Sequence, residues 1–313
     1  MSKFENHPLN PGEGIPVFIS AGVIKEPTQL EQFYEITDSR TAPVITLGGY
    51  TITEWAGNAK AGQDDFIYYP DRKMAGNARG LPNGGRNAIE ALKDPIARLT
   101  DLGIKTIVQV TNLPFETPID VIPELVEIAA SVNPTAVEVN LSCPNGKNAD
   151  GSFHPPLSSN AEASGEVMQA SRNRVGREVI LGAKDSPHVT SLDDEVNRNE
   201  VILLSHEIKK YIDFIVGINT IGNQEFPELE CGNGRGGMSG PVVADIAKEH
   251  LSIWQEFAPN LAYLSTGGID SENAESEISA RLEAGALLVG GAQEFYRTKS
   301  QLQLVANWAI ASA

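Results

Sequence analysis

The chain has 313 residues, 41% of them apolar and 21% charged, enough for a sizeable core in one α/β barrel or in two ordinary domains. It carries 41 Asp+Glu against 24 Lys+Arg, a formal charge of −17. This balance argues against nonspecific nucleic-acid binding and against attraction to an anionic membrane surface. It still allows an anionic small ligand held by a few local bases and backbone N–H groups.

Short apolar runs separated by amphipathic stretches predict eight strands. The first covers 15–20 and the second 43–47, with a short helix near 27–35 between them. A long connection rich in Gly and Asn, 48–87, leads to a helix at 88–102. Strand three, 106–110, precedes a helix at 118–131. Strand four, 136–140, runs into a second long connection, 143–159, and a helix at 160–175. Strand five, 178–184, precedes a helix at 193–209. Asp193-Asp194-Glu195 are expected in its first turn, where the helix dipole favours acids. Strand six, 214–219, opens a third long, glycine-rich connection, 220–240, before a helix at 242–257. Strand seven is 261–265. Its helix, 271–284, is expected to start at Ser271-Glu272. Strand eight is 286–290, and an apolar tail at 298–312 is expected as the last outer helix.

A strand–helix unit repeated eight times predicts a (β/α)8 TIM barrel in which residues 1–313 form a single domain; an open doubly wound sheet is the alternative. The connections 48–87, 143–159 and 220–240 fall after strands, so they belong at the C-terminal mouth, where loops build active sites. Ser265-Thr266-Gly267-Gly268 follows strand seven and Gly290-Gly291 follows strand eight. Two glycine pairs at consecutive strand ends suit a phosphate, although tight turns also use glycine. Neither GxGxxG after the first strand nor GxxxxGK[ST] is present, which disfavours dinucleotide folds and triphosphate loops.

Asn140-Leu141-Ser142-Cys143-Pro144-Asn145 is the densest chemical signal. Two amides and a thiol at one strand end suit a planar polar ligand and a proton transfer. Cys143 and Cys231 are far apart and form no CxxC pair, so no disulfide framework, metal site or iron–sulfur cluster is expected. A buried, inert thiol is the plain alternative for Cys143. Lys184, Asn219 and Thr220 end strands at the same mouth, and Asn77 lies in the first long connection. A snorkelling lysine and a turn asparagine are the plain alternatives for Lys184 and Asn77. The N-terminal segment has no apolar secretory core and no apolar run is long enough to span a membrane, so a cytoplasmic location is expected.

Together with Gly80-Leu81-Pro82-Asn83, Lys184-Asp185-Ser186-Pro187, Ile218-Asn219-Thr220-Ile221-Gly222-Asn223 and the two glycine pairs, the cysteine motif resembles the dihydroorotate dehydrogenases over residues 12–296. The likeness is to the soluble, FMN-containing, cysteine-base (class 1A-like) branch. It implies FMN at the barrel mouth. Gly267, Gly268, Gly290 and Gly291 would hold its phosphate, with Gly236 and Gly237 nearby. Ala21 and Gly22 would lie against its ring, and Lys184 would face the edge that gathers negative charge. Asn219 and Thr220 would border flavin and substrate, while Asn77, Asn140 and Asn145 would grip dihydroorotate. Cys143 would take the proton from C5 as C6 gives a hydride to flavin N5. The loop 143–159 would close over the substrate. Fumarate is the expected acceptor, a homodimer the expected assembly, and an iron–sulfur partner subunit is not expected. Family marks are missing after strand two, among them the usual arginine and Gly-Asn-Pro-rich stretch. The usual second lysine past strand two is absent from Thr46-Leu47-Gly48-Gly49-Tyr50-Thr51, and Lys60 is the nearest substitute. A divergent FMN oxidoreductase acting on another dihydropyrimidine or related cyclic substrate is therefore a second reading. A noncatalytic barrel is the third.

Overall fold

The computed structural model describes residues 3–34, 43–146 and 152–293. Strand β1 is Val17–Ile24, followed by the short helix α1, Glu31–Tyr34, and strand β2, Val44–Tyr50. Strands β3, Phe66–Tyr69, and β4, Met74–Asn77, precede helices α2, Gly85–Glu90, and α3, Lys93–Asp101. Then come β5, Thr106–Val110; α4, Pro118–Ser131; β6, Ala136–Asn140; and α5, Ala161–Val175. Strand β7 is Leu181–Lys184, helix α6 Arg198–Ile208 and strand β8 Phe214–Gly217. Strands β9, Ile221–Glu225, and β10, Arg235–Ser239, lead to helix α7, Ala244–Phe257. The chain continues through β11, Ala262–Thr266; α8, Ala274–Glu283; and β12, Leu288–Gly291.

Eight of these strands close a parallel barrel in the order β1-β12-β11-β8-β7-β6-β5-β2, as the strand–helix repeat predicted. They are the eight strands expected, with ends shifted by a few residues. The expected tail helix at 298–312 lies outside the described residues, as does 147–151 of the second long connection. No helix among the described residues is long and apolar enough to cross a membrane.

Two apolar clusters follow from strand alternation. Val17, Ile19, Val108, Val110, Val137, Val139, Ile215 and Tyr263 pack with helix residues such as Leu99, Leu125, Leu204 and Leu251. Their alternates Phe18, Ile107, Ala136, Phe214, Val216, Ala262 and Leu264 form a second cluster with Phe4 and Leu9. Strand residues plus an N-terminal segment, with no helix, describe a barrel interior plugged from one end. Burying each large apolar side chain contributes about 1.5–3 kcal/mol. The same inward parity, carried two or four residues toward the other end, brings in Ser20, Gln109, Glu138, Asn140, Lys184 and Thr266. All six are buried. The interior therefore grades from apolar at its plugged end to polar at its mouth.

A second, four-stranded sheet, β3-β4-β10-β9, was not expected. It forms from two of the long connections, with β4 antiparallel to β10 so that Asn77 lies opposite Gly237. Helix α6 begins at Arg198, later than predicted. Asp194 instead accepts hydrogen bonds from the Thr190 N–H and hydroxyl and from the Ser191 N–H, closing a turn. The Asn197 side chain then caps the helix by accepting from the Glu200 N–H. Helix α8 starts at Ala274, because Asp270 accepts from the N–H groups of Glu272 and Asn273 and holds Ser271-Glu272 in a turn.

Candidate active site

A cavity of about 1090 Å3, counting its open mouth, sits over the polar end of the barrel. Of the residues singled out from sequence, Ala21, Gly22, Asn77, Asn140, Cys143, Asn145, Lys184, Asn219, Thr220, Gly267, Gly268 and Gly291 line it. Gly236, Gly237 and Gly290 do not. A Cβ at Gly237 would lie 2.1 Å from Thr220 Oγ1, and one at Gly290 would lie 2.0 Å from the Phe18 carbonyl oxygen. Those glycines allow close packing behind the wall. Lys60 is exposed and also absent from the lining. Cys231 is buried against the accessory-sheet loops, with its Sγ 3.3 Å from the Asp64 carbonyl oxygen.

The amides are held in a fixed array. Asn145 Nδ2 donates to Asn77 Oδ1 at 2.7 Å, tying the cysteine loop to β4. Asn140 Oδ1 accepts from the Ser142 N–H at 3.0 Å and the Ser142 hydroxyl at 2.9 Å. Asn219 Nδ2 donates to the Ser142 carbonyl and Oγ, both at 3.1 Å. The segments after β6 and β8 are thereby joined through Ser142, and the cysteine loop is joined separately to β4 through Asn77. Residues held this way are preorganised, so less ordering remains when a ligand binds.

Cys143 is half-buried in the cavity wall. Burial pushes its thiol up; the N–H groups of Asn145 and Gly146 and the ammonium groups of Lys25 and Lys184 work against that. Lys184 lies opposite Asn140 in the β6–β7 register, and its Nζ donates to Ser20 Oγ at 2.9 Å. Burial lowers its pKa, opposed by the charges of Glu138 and Cys143. Burial raises that of Glu138, opposed by Lys184 and by a hydrogen bond from Gln109. Glu138 escaped the sequence reading because it sits inside an apolar strand; period-two alternation from Asn140 would have found it. Lys25, Arg79 and Gln109 are further lining residues that sequence did not single out. Leu81, also in the wall, adopts φ +64°, an uncommon state for a leucine that its loop must enforce.

Asp185, behind Lys184, bonds to four groups. Its Oδ1 accepts from His188 Nε2 at 2.9 Å and from the Ser186 N–H at 2.7 Å. Its Oδ2 accepts from His250 Nε2 at 2.9 Å and from Trp254 Nε1 at 3.2 Å. Asp185, His188 and His250 bring potential metal-ligating atoms within 4.8 Å of one another. Each of these atoms is engaged in a hydrogen bond, so the cluster is a structural network behind Lys184.

The cavity fits a flavin mononucleotide. Gly267, Gly268, Ser239, Gly240 and Gly291 line one region, with Val243 beside the start of α7, where helical N–H groups favour an anion. Gly268 has φ +82°, and a Cβ there would lie 2.3 Å from Ala244 Cα. Asn145 Oδ1, Thr220 Oγ1 and both side-chain polar atoms of Gln293 are buried without a protein partner among the described residues. All three residues line the cavity, so the wall offers unsatisfied donors and acceptors to a polar ligand.

The chain is similar to dihydroorotate dehydrogenase B (NAD(+)), catalytic subunit, of Staphylococcus carnosus (strain TM300). The two are 26% identical over 285 residues, 88% of this chain and 82% of that protein. The protein of the same name from Bacteroides fragilis (strain ATCC 25285) is 28% identical over 259 residues, 81% of this chain and 76% of its own. That of Shouchella clausii (strain KSM-K16) is 23% identical over 288 residues, 90% and 84% respectively. These likenesses correct the branch expected from the cysteine motif. The relatives are NAD(+)-linked by name, so the motif does not place the chain in the fumarate-using class 1A-like branch, and fumarate is withdrawn as the acceptor. They are also named as catalytic subunits, which overturns the expectation that an iron–sulfur partner subunit is absent. The physical reason is that a thiol suited to proton transfer carries no information about what reoxidises a flavin. A family model described as dihydroorotate dehydrogenase matches residues 14–305; the chain belongs to the dihydroorotate dehydrogenase family, as an FMN-using oxidoreductase of CH–CH bonds.

Proposed function

We propose that this chain is the catalytic barrel of an NAD(+)-linked enzyme that oxidises the C5–C6 bond of a dihydroorotate-type ring. The observation that carries this reading is the convergence of the Cys143 thiol, four asparagine amides and Lys184 on one glycine-walled cavity. When bound, FMN supplies the hydride acceptor. Gly267, Gly268 and Gly291 accommodate its phosphate, and Ala21 and Gly22 let its ring approach the backbone. Lys184 balances negative charge at the ring edge. Asn77, Asn140, Asn145 and Asn219 orient the substrate ring through its amide and carbonyl groups. Cys143 accepts the proton leaving the ring carbon next to the one that gives up hydride.

The second half of the reaction needs a partner. Neither cysteine of this chain belongs to a CxxC pair, which suits a reducing compartment such as the cytoplasm. An electron relay to NAD(+) therefore belongs to another subunit, one bearing iron–sulfur or flavin centres. Anaerobic titration tests the reading. Purified protein is expected to be yellow and to bleach with dihydroorotate more readily than with dihydrouracil or dihydrothymine. NAD(+) should restore the colour only with the partner subunit present. Colourless protein that cannot be reconstituted with FMN would refute it.

A further inference from the structure

Among the described residues, the cavity wall contains three cationic side chains, Lys25, Arg79 and Lys184, and no Asp or Glu. In a chain with 41 acids and 24 bases this is a local reversal of sign, and it marks the cavity for more than one negative group. Lys184, inside the barrel against Ser20, is placed for the flavin. Lys25 lies at a different point. It directly follows β1, at the mouth, and its charge acts on Cys143.

The side chain is built in. The Lys25 N–H donates to Gln29 Oε1 at 2.7 Å, and its carbonyl accepts from the Tyr50 hydroxyl at 2.8 Å. Nζ donates to the Pro82 carbonyl at 2.6 Å. An ammonium has three donors, and among the described residues no carboxylate pairs with this one. Arg79, its cationic neighbour, is instead held by Asp65 at 2.9 Å. On the neighbouring strand, where Ile24 pairs with Leu47, β2 cannot offer a cation at Gly48. That residue has φ +94°, and a Cβ would lie 2.3 Å from the Tyr50 ring. The same Tyr50 that blocks β2 also anchors the Lys25 backbone.

We propose that Lys25 is the specificity-determining residue that binds the carboxylate of the ring substrate beside Cys143. The assignment rests on the flavin-dependent reading above and supplies the charge that strand two lacks. A ring without a carboxylate would leave this ammonium unsatisfied, so the site selects acidic rings over neutral ones. Burial, together with the neighbouring Arg79 charge, lowers the Lys25 pKa to about 8, with Cys143, Asp65 and Glu26 opposing. Carboxylate binding should accordingly weaken as pH rises past about 8.

The test uses the FMN-loaded protein, with orotate and uracil as probes read through the flavin absorbance. Lys25→Met keeps the stem and removes the charge. It is expected to weaken orotate about 10- to 100-fold and to leave uracil affinity and FMN content as in the unaltered protein. Lys25→Arg should restore most of the orotate affinity. Equal loss for both ligands, or no loss for orotate, would overturn the assignment. Unaltered protein that holds FMN but does not prefer orotate overturns it while sparing the flavin reading. Protein that takes up no FMN overturns both.

Discussion

The buried network behind Lys184 makes stability pH-dependent in a defined direction. His188 is held between Asp185 and Glu200, with Nε2 and Nδ1 each 2.9 Å from a carboxylate oxygen. Burial alone would lower its pKa; the two carboxylates overcome this and raise it from 6.5 to about 9. Asp185 moves the other way: burial would raise it, but the two histidines hold it well below the usual carboxylate range. A histidine with a raised folded pKa stabilises the fold fully below its unfolded value, and the effect is lost as pH climbs through the folded one. For His188 that window runs from about pH 6.5 to about pH 9, and the shift corresponds to about 3 kcal/mol. His188→Gln removes the titrating group. Chemical denaturation at pH 6 and pH 10 should show the unaltered protein losing about 3 kcal/mol more than the variant. Subtracting the two cancels groups that titrate in both, such as Lys25. Parallel stability curves would refute the assignment of His188 as a paired imidazolium. The network also bears on the site, because the Asn219 N–H donates to the Asp185 carbonyl at 3.0 Å and the Asp185 N–H to the Val216 carbonyl at 2.8 Å.

Gly268→Val should abolish FMN retention, because the added Cβ meets backbone at Ala244 and the left-handed φ costs about 1–2 kcal/mol more. Gly12→Ala is the control: it shares a positive φ but has open space around it, so flavin content should hold. Cys143→Ser should keep FMN and slow dihydroorotate-dependent bleaching by about 10²- to 10⁴-fold in stopped flow. Unchanged bleaching would remove the thiol from proton transfer. If its charge serves the reacting ring as proposed, Lys184→Met should leave substrate binding near normal and slow bleaching by about 10²- to 10³-fold.

Much of the scaffold was legible from local pattern alone. Eight apolar runs spaced by amphipathic helices specify a barrel, because parallel strands need a crossover and each helix needs an apolar stripe. Most of the mouth followed as well, since strand ends such as Asn140, Lys184 and Asn219 must share one rim once the strands are parallel. Other features depended on partners distant in sequence. Met74–Asn77 and Arg235–Ser239 are short and glycine-bearing, with little strand character of their own, and become strands only by pairing across 160 residues. Lys25 looks like a surface lysine until the end of β1 and Tyr50 seat it in the cavity. Asp185 becomes a structural anchor only when His250, 65 residues away, is brought beside it. The electron acceptor was legible from neither the motif nor the barrel; only the likeness to relatives named for NAD(+) bears on it. Periodicity acts through neighbours along the chain and so survives in sequence; charge pairing and cavity shape act through space and exist only once the barrel has closed.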